Sequence, residues 1–377
     1  MGPARVAVVR CETYEQAAVD DAVARALALL GGAGRFVRPG ERIVLKPNLL
    51  VASGPDKAVT THPAVFSAVA RALAAEDAVL TWGDSPGFGS TGGVGRRAGI
   101  AQAAAALGVA EADFARGREV SFPDGALVKR FTIAEGVLAA DGLVSLPKLK
   151  THALTRMTGA VKNQFGCVPG MLKGEFHTRM PDVERFCTML VDLNRLLAPR
   201  LTVMDAIVAM EGNGPRGGDP RHVGVLLVSD DPVAVDALGC RVMALDPDLV
   251  GTVTEGERLG LGRAHDIEVV GDEPPVIADF VANRSRASTT GGGIGNALGR
   301  RLLAPRPFII AGRCTRCGTC VSVCPVEPKA VDWPDGDRAR VPEHDYDACI
   351  RCYCCQEMCP ERAIEVKTPP LGRLIRR

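Results

Sequence analysis

Two kinds of segment alternate along most of the chain. Short β-branched runs such as Arg5–Arg10 (RVAVVR), Arg42–Lys46 (RIVLK) and Ala78–Trp82 (AVLTW) read as strands. Helix-like stretches lie between them, around Tyr14–Leu30 and near Ala64–Ala75. Thr61-His62-Pro63 opens the second helix, with proline where a first helical residue tolerates it. After Trp82 come a glycine-rich loop and a helix to about Leu107. Further strands are expected at Gly142–Leu146, Leu201–Asp205, Val223–Ser229 and Ile267–Val270. Helices are expected within Asp182–Leu197 and Pro232–Leu245. Such alternation predicts an α/β body: a mostly parallel, doubly wound sheet with helices on both faces.

The character changes near residue 285. Residues 285–307 are rich in Ser, Thr, Gly and Arg and read as a linker. It divides the α/β body, 1–284, from a cysteine-rich module, 308–367, which a basic tail follows at 368–377. With 377 residues, 46% of them hydrophobic, the chain has material for a large core and two or three domains. A net charge of +1 argues against a nucleic-acid partner recognised by bulk charge. No apolar run approaches the roughly 18 residues of a membrane span. No secretory or twin-arginine leader is legible, which points to the cytoplasm.

Eight of the 13 cysteines form one ordered pattern. Cys314, Cys317, Cys320 and Cys324 read C-x-x-C-x-x-C-x-x-x-C-P, and Cys349, Cys352, Cys355 and Cys359 repeat it. Runs of this kind hold 4Fe–4S clusters, and the fourth cysteine of each ligates the other cluster. One cluster therefore takes Cys314, Cys317, Cys320 and Cys359, and the second takes Cys349, Cys352, Cys355 and Cys324. Zinc prefers one closed tetrahedron from paired C-x-x-C units. A disulfide framework belongs to small secreted domains. Cys11, Cys167, Cys187, Cys240 and Cys354 occupy no slot in the repeats and read as packed thiols. Single electrons, exchanged with an external ferredoxin, flavodoxin or reductase, are the currency this module implies.

Open α/β sheets bind ligands outside the carboxyl ends of their strands. The residues after each expected strand are therefore the candidates for chemistry. Lys46, Lys148, Lys150, His152 and Asp205 are the expected catalytic groups. Asn48, Asp84, Ser85, Lys162, Asn163 and Asn213 are the expected substrate contacts. Lys148, Lys150 and His152 alternate in an extended stretch and share one face, so their charges repel unless an anion offsets them. Asp205 ends an expected strand and could bind Mg2+ or move a proton. Asp230 and Asp231 before Pro232 read as an ordinary helix start, and His177 as a solvated loop residue. Gly87, Gly89 and Gly92 match G-x-G-x-x-G, but Asp84, Ser85 and Pro86 separate them from the strand and no ribose-binding acid follows. No NAD or flavin site is expected.

Several segments together resemble the family called domain of unknown function 362. They are KPNLL (Lys46–Leu50), TTHP (Thr60–Pro63), GDSPGFGS (Gly83–Ser90), LPKLKTH (Leu146–His152), GAVKNQFGCVPG (Gly159–Gly170), MEGNGP (Met210–Pro215) and SDDPVAVDA (Ser229–Ala237). The resemblance runs from about Arg5 to Cys359, and members of that family often carry a two-cluster ferredoxin module. It implies an architecture and no settled reaction. Two functions are expected from the residues themselves. The first is a reductase that passes electrons from two clusters to a small anionic or carbonyl-bearing substrate. The alternative is a non-catalytic electron carrier, or an accessory protein in the maturation of another enzyme.

Overall fold

The computed structural model describes residues 2–286, 303–370 and 372. Strands β1 (Ala4–Arg10), β2 (Arg42–Pro47), β3 (Val79–Trp82) and β4 (Ala110–Glu111) enter the main sheet. Strands β5 (Gly117–Ser121) and β6 (Arg130–Ala134) form a separate antiparallel hairpin that the sequence pattern does not announce. The main sheet continues with β7 (Gly142–Leu146), β8 (Lys148–His152), β9 (Arg156–Thr158), β10 (Leu201–Glu211), β11 (Asp219–Ser229) and β12 (Ile267–Gly271). The order is β12-β1-β11-β10-β7-β2-β3-β4, with β8 pairing β10 on one side and β9 on the other. Only β11 and β9 run antiparallel to their neighbours. The sheet is thus mostly parallel, as expected.

Side-chain alternation sends each strand's residues into two separate cores. Val6 and Val8 join one core with the helices Val183–Leu197 and Pro232–Val242, while Ala7 and Val9 join the other with Gln16–Leu29 and Pro63–Ala74. Helices therefore cover both faces. Their starts follow the sequence. Pro63 begins its helix behind His62, whose Nδ1 accepts from Ala64 N at 3.2 Å. The Asp231 carboxylate accepts from Val233 N and Ala234 N at 2.9 Å, which caps Pro232–Val242 and accounts for that acid structurally. Such a cap contributes about 1 kcal/mol.

Three departures matter for the site. The stretch expected as one helix to Leu107 is two, Thr91–Ala98 and Ile100–Ala106, because Gly99 turns the chain at φ 79°. His177 lies buried in a helix, Leu172–Arg179, and not in a solvated loop. Strand β10 does not stop at Asp205 but continues to Glu211 through an irregularity between Ala206 and Val208.

The cysteine module pairs β13 (Arg306–Ile309) with β16 (Ile364–Lys367), and β14 (Val331–Asp332) with β15 (Glu343–His344). A short helix follows within each cysteine run, Thr319–Ser322 and Cys354–Met358. Most of the expected linker and basic tail lies outside the described residues, and Arg306 already belongs to β13. The module docks on the body through side-chain amides. Gln356 Nε2 donates to Asn213 Oδ1 at 2.9 Å and to Gly214 O at 3.2 Å, and Asn213 Nδ2 donates to Ile364 O at 3.0 Å. Arg216 Nη1 donates to Met358 O.

Candidate functional site

The body and the cysteine module enclose a shared cavity with about 890 Å³ of unfilled space. Polar lining residues from the body include Asn48, Asp84, Ser85, Lys150, Thr158, Lys162, Asn163, Lys173 and His177. The module contributes Val323, Cys354, Glu357 and Met358.

The floor is built around a buried ion pair. Lys46 Nζ stands 2.7 Å from Asp84 Oδ1 and donates to Asn163 Oδ1 at 3.2 Å. Asp84 Oδ2 accepts from Leu49 N at 2.8 Å. Backbone closes over this pair at Gly166, where an added Cβ would lie 1.8 Å from Asp84 Oδ1. Only glycine fits there. Lys46 thus holds Asp84 and Asn163 in place and does not itself line the cavity.

Lys150 does line it. Its Nζ donates to Asn48 Oδ1 at 2.7 Å and to Val59 O at 2.6 Å, both neutral oxygens. Burial, reinforced by the facing Lys162 ammonium, pushes its pKa well below the ordinary lysine value. Lys173 donates to Ser85 Oγ at 2.7 Å and Val168 O at 3.0 Å, and burial brings it down to about 8. His177 stacks on Phe186 with ring centroids 4.5 Å apart, and burial holds it at about 4.

His152 sits behind the cavity wall. Its Nδ1 accepts from Leu154 N at 3.0 Å and Thr155 N at 3.3 Å, which leaves Nε2 protonated and 2.9 Å from Glu357 Oε1. Burial holds this imidazole at about 4, so it is neutral near pH 7. With Nδ1 committed, His152 positions Glu357 and is poorly placed to move protons. Burial raises the Glu357 carboxyl, but the facing His152 and Lys162 outweigh it and hold it at about 2.

Two of the five expected catalytic residues lie elsewhere. Lys148 Nζ is 2.8 Å from Asp205 Oδ2 and 2.7 Å from Tyr14 Oη, and both charged residues are fully buried. Asp205 also accepts from the Tyr14 hydroxyl at 2.8 Å and from His62 N at 3.0 Å. Tyr14 Oη in turn accepts from Val208 N at the β10 irregularity. Asp205 is mid-strand, with its charge answered by Lys148, so it is not at the sheet edge. Asn213, expected on substrate, joins the module to the body instead. Asn48, Asp84, Ser85, Lys162 and Asn163 do line the cavity.

The cysteines gather in two groups. Cys314, Cys317, Cys320 and Cys359 line a cavity with about 330 Å³ of unfilled space. Cys324, Cys349, Cys352 and Cys355 line another, with about 310 Å³. Arg316 N donates to Cys314 Sγ at 3.4 Å and Ala363 N to Cys359 Sγ at 3.3 Å, the kind of contact that tunes cluster potential. Among the described residues, no three His, Cys, Asp or Glu side chains converge on one metal ion. The thiols ring a space, and four thiols around a space suit a corner-ligated cube. Cys317 is exposed, and both groups have sequence neighbours in the shared cavity: Cys354 lies between Cys352 and Cys355, Val323 precedes Cys324, and Met358 precedes Cys359.

Thr158, Lys173, His177 and Glu357 carry no sequence signal of a site. Thr158 and Glu357 reach the cavity through strand pairing and domain docking, and Lys173 and His177 through a helix whose period is weak in sequence.

Comparison with known proteins agrees with this architecture. The family described as "Domain of unknown function (DUF362)" matches residues 43–241, and a 4Fe–4S dicluster domain matches 313–363. A thylakoid-associated protein from Synechocystis sp. is 40% identical over 257 residues, spanning 68% of this chain and 79% of its own. Among solved structures, the lactate racemase apoprotein from Thermoanaerobacterium thermosaccharolyticum is 13% identical, with a TM-score of 0.40. That alignment covers 64% of this chain and 57% of the racemase. A structural-genomics protein from Thermotoga maritima is 8% identical with a TM-score of 0.34, covering 62% of this chain and 59% of that one. The chain spans less than two thirds of both solved structures. No described helix is long and apolar enough to cross a membrane. The chain belongs to the DUF362 family and joins that domain to a 4Fe–4S dicluster domain of iron–sulfur electron-transfer type.

Proposed function

We propose that the protein is an iron–sulfur reductase acting on a small molecule in the shared cavity. One observation carries this reading: a single cavity is walled by the sheet's polar edge and by the segment that bears Cys352 and Cys355. An electron carrier has no use for such a chamber. Two 4Fe–4S clusters, held in the crossed pairing of the two thiol groups, supply single electrons at low potential when bound. The exposed Cys317 suits exchange with an external redox protein, and the buried second group suits delivery to the cavity.

The chain's own residues do the remaining work. Lys150 and Lys162 offset negative charge that develops on the substrate. Lys173 Nζ, fixed by Ser85 and with a pKa near neutrality, holds a proton for delivery. His152 clamps Glu357 and keeps the wall closed. Thiolate ligands persist in a reducing compartment, which supports a cytoplasmic setting.

The test begins with anaerobic purification and an iron count of about eight per chain. The reduced protein is then mixed with small carbonyl and unsaturated acceptors, and re-oxidation is followed near 400 nm. Re-oxidation by a small molecule supports the reductase. Re-oxidation by ferredoxin or flavodoxin alone, with every small acceptor inert, supports the carrier.

A further inference from the structure

One end of the cavity carries two lysines, Lys150 and Lys162, and neither is hydrogen-bonded to the lining acid that faces them, Glu357. Lys162 is half-buried and makes no hydrogen bond or ion pair among the described residues. Lys150 faces it, held only by neutral oxygens. Thr158 is directly opposite Lys150 across the antiparallel β8–β9 pair, so the two side chains leave the same face as neighbours. The Thr158 hydroxyl is buried, lines the cavity, and has no partner among the described residues. A buried hydroxyl without a partner costs about 1–3 kcal/mol, which an acceptor at this place would offset. Two lysine side chains and an idle hydroxyl converge here.

Neither lining acid hydrogen-bonds the Thr158 hydroxyl. Asp84 is engaged by Lys46 and Leu49 N, and Glu357 faces His152 as well as Lys162. Several backbone amides around the cavity are also engaged. Ser85 N donates to Gly166 O, Gly87 N to Leu50 O, Gly174 N to Met171 O, and Gly170 N to Ser85 Oγ. Phosphate is commonly held by a nest of free backbone amides. The remaining donors here are two point charges and one hydroxyl, which suits a carboxylate. The apolar part of the lining is Leu50, Phe165, Met171, Pro215, Val323 and Met358.

Building on the reductase reading, we propose that the cavity takes a carboxylate with an apolar body. The carboxylate lies among Lys150, Thr158 and Lys162, and the body packs on Phe165, Leu50 and Met358. A carboxylate here would also bring Lys150 back toward its charged form.

The test is calorimetric titration of the cluster-loaded protein with butyrate, hexanoate, benzoate and cinnamate. The controls are cinnamyl alcohol and inorganic phosphate. At least one of the four carboxylates should bind, and cinnamyl alcohol should bind at least about tenfold more weakly than cinnamate, since a hydrogen-bonded charge is at stake. Lys162→Gln and Thr158→Val should each weaken carboxylate binding, Lys162→Arg and Thr158→Ser should restore it, and iron content should stay constant throughout. Binding by none of the four, equal binding of the alcohol, or tighter binding of phosphate overturns the inference. A carboxylate that binds but never re-oxidises the reduced clusters leaves the inference standing and removes the reductase reading.

Discussion

Lys148 and Lys150 are two positions apart on the same face of one strand, and both are buried to within 1%. Their surroundings are opposite. Lys148 has a private acid, Asp205, and a tyrosine hydroxyl that binds both. Lys150 has an amide oxygen and a backbone carbonyl, with another lysine facing it. The first arrangement is complete in itself. The second leaves an amine with no hydrogen-bonded acid, ready to be answered by an anion that enters the cavity. Spacing along a strand therefore finds candidate cations, but the partner acid decides which of them are structural.

The largest effect that could break this contrast is on stability. Asp205→Ala leaves the Lys148 ammonium alone in the core, and losing one member of a buried pair costs about 3–5 kcal/mol. Urea unfolding should show that loss. A change below about 1 kcal/mol would mean that the Lys148 site is not closed.

Lys150→Met should do the reverse. It removes a buried amine that has no acid partner, so unfolding free energy should hold or rise, with iron content unchanged. Re-oxidation by the best small-molecule acceptor should fall about hundredfold, the usual scale for losing one charge-stabilising group. Wild-type re-oxidation in this variant would remove Lys150 from the site.

The smallest effect is in acid. His177 at the cavity and His62 at the closed pair are both lowered from 6.5 to about 4, chiefly by burial. Between those values the unfolded chain binds more protons than the folded one, so stability falls as pH falls. Each histidine contributes about 1.4 kcal/mol per pH unit at the steepest. His177→Phe keeps the stacking on Phe186 and should flatten the slope between pH 6.5 and 4 by about one proton's share. An unchanged slope would mean that His177 is charged when folded. Both sites carry a neutral histidine, so this titration sharpens the contrast by showing that only the lysine variants separate them.

Much of the body was legible because local signals agreed with the global fold. β2, β7 and the start of Pro232–Val242 carry strong runs or caps, and the paired cysteine spacing marks the module. Asp205 misled for an identifiable reason. In sequence, strand β10 reads as ending there, but a local irregularity lets it continue, with the Tyr14 hydroxyl taking up Val208 N. Asn213 misled because no local pattern encodes docking of a second domain. For the same reason Glu357, placed between cysteines, could not be recognised as a cavity wall. Thr158 became visible only through its cross-strand register with Lys150.

The wall formed by Cys354, Glu357 and Met358 has a thermodynamic consequence. In the proposed ligation, that wall is the stretch of chain strung between Cys352, Cys355 and Cys359. Whatever grips the wall from the cavity side also grips the chain that holds the metal. Such coupling is reciprocal: a ligand that favours the loaded module must be favoured by loading to the same factor. Iron supply would then set substrate affinity, and substrate would in turn slow the loss of iron. A cell short of iron would then hold chains in which both the clusters and the cavity are weakened together.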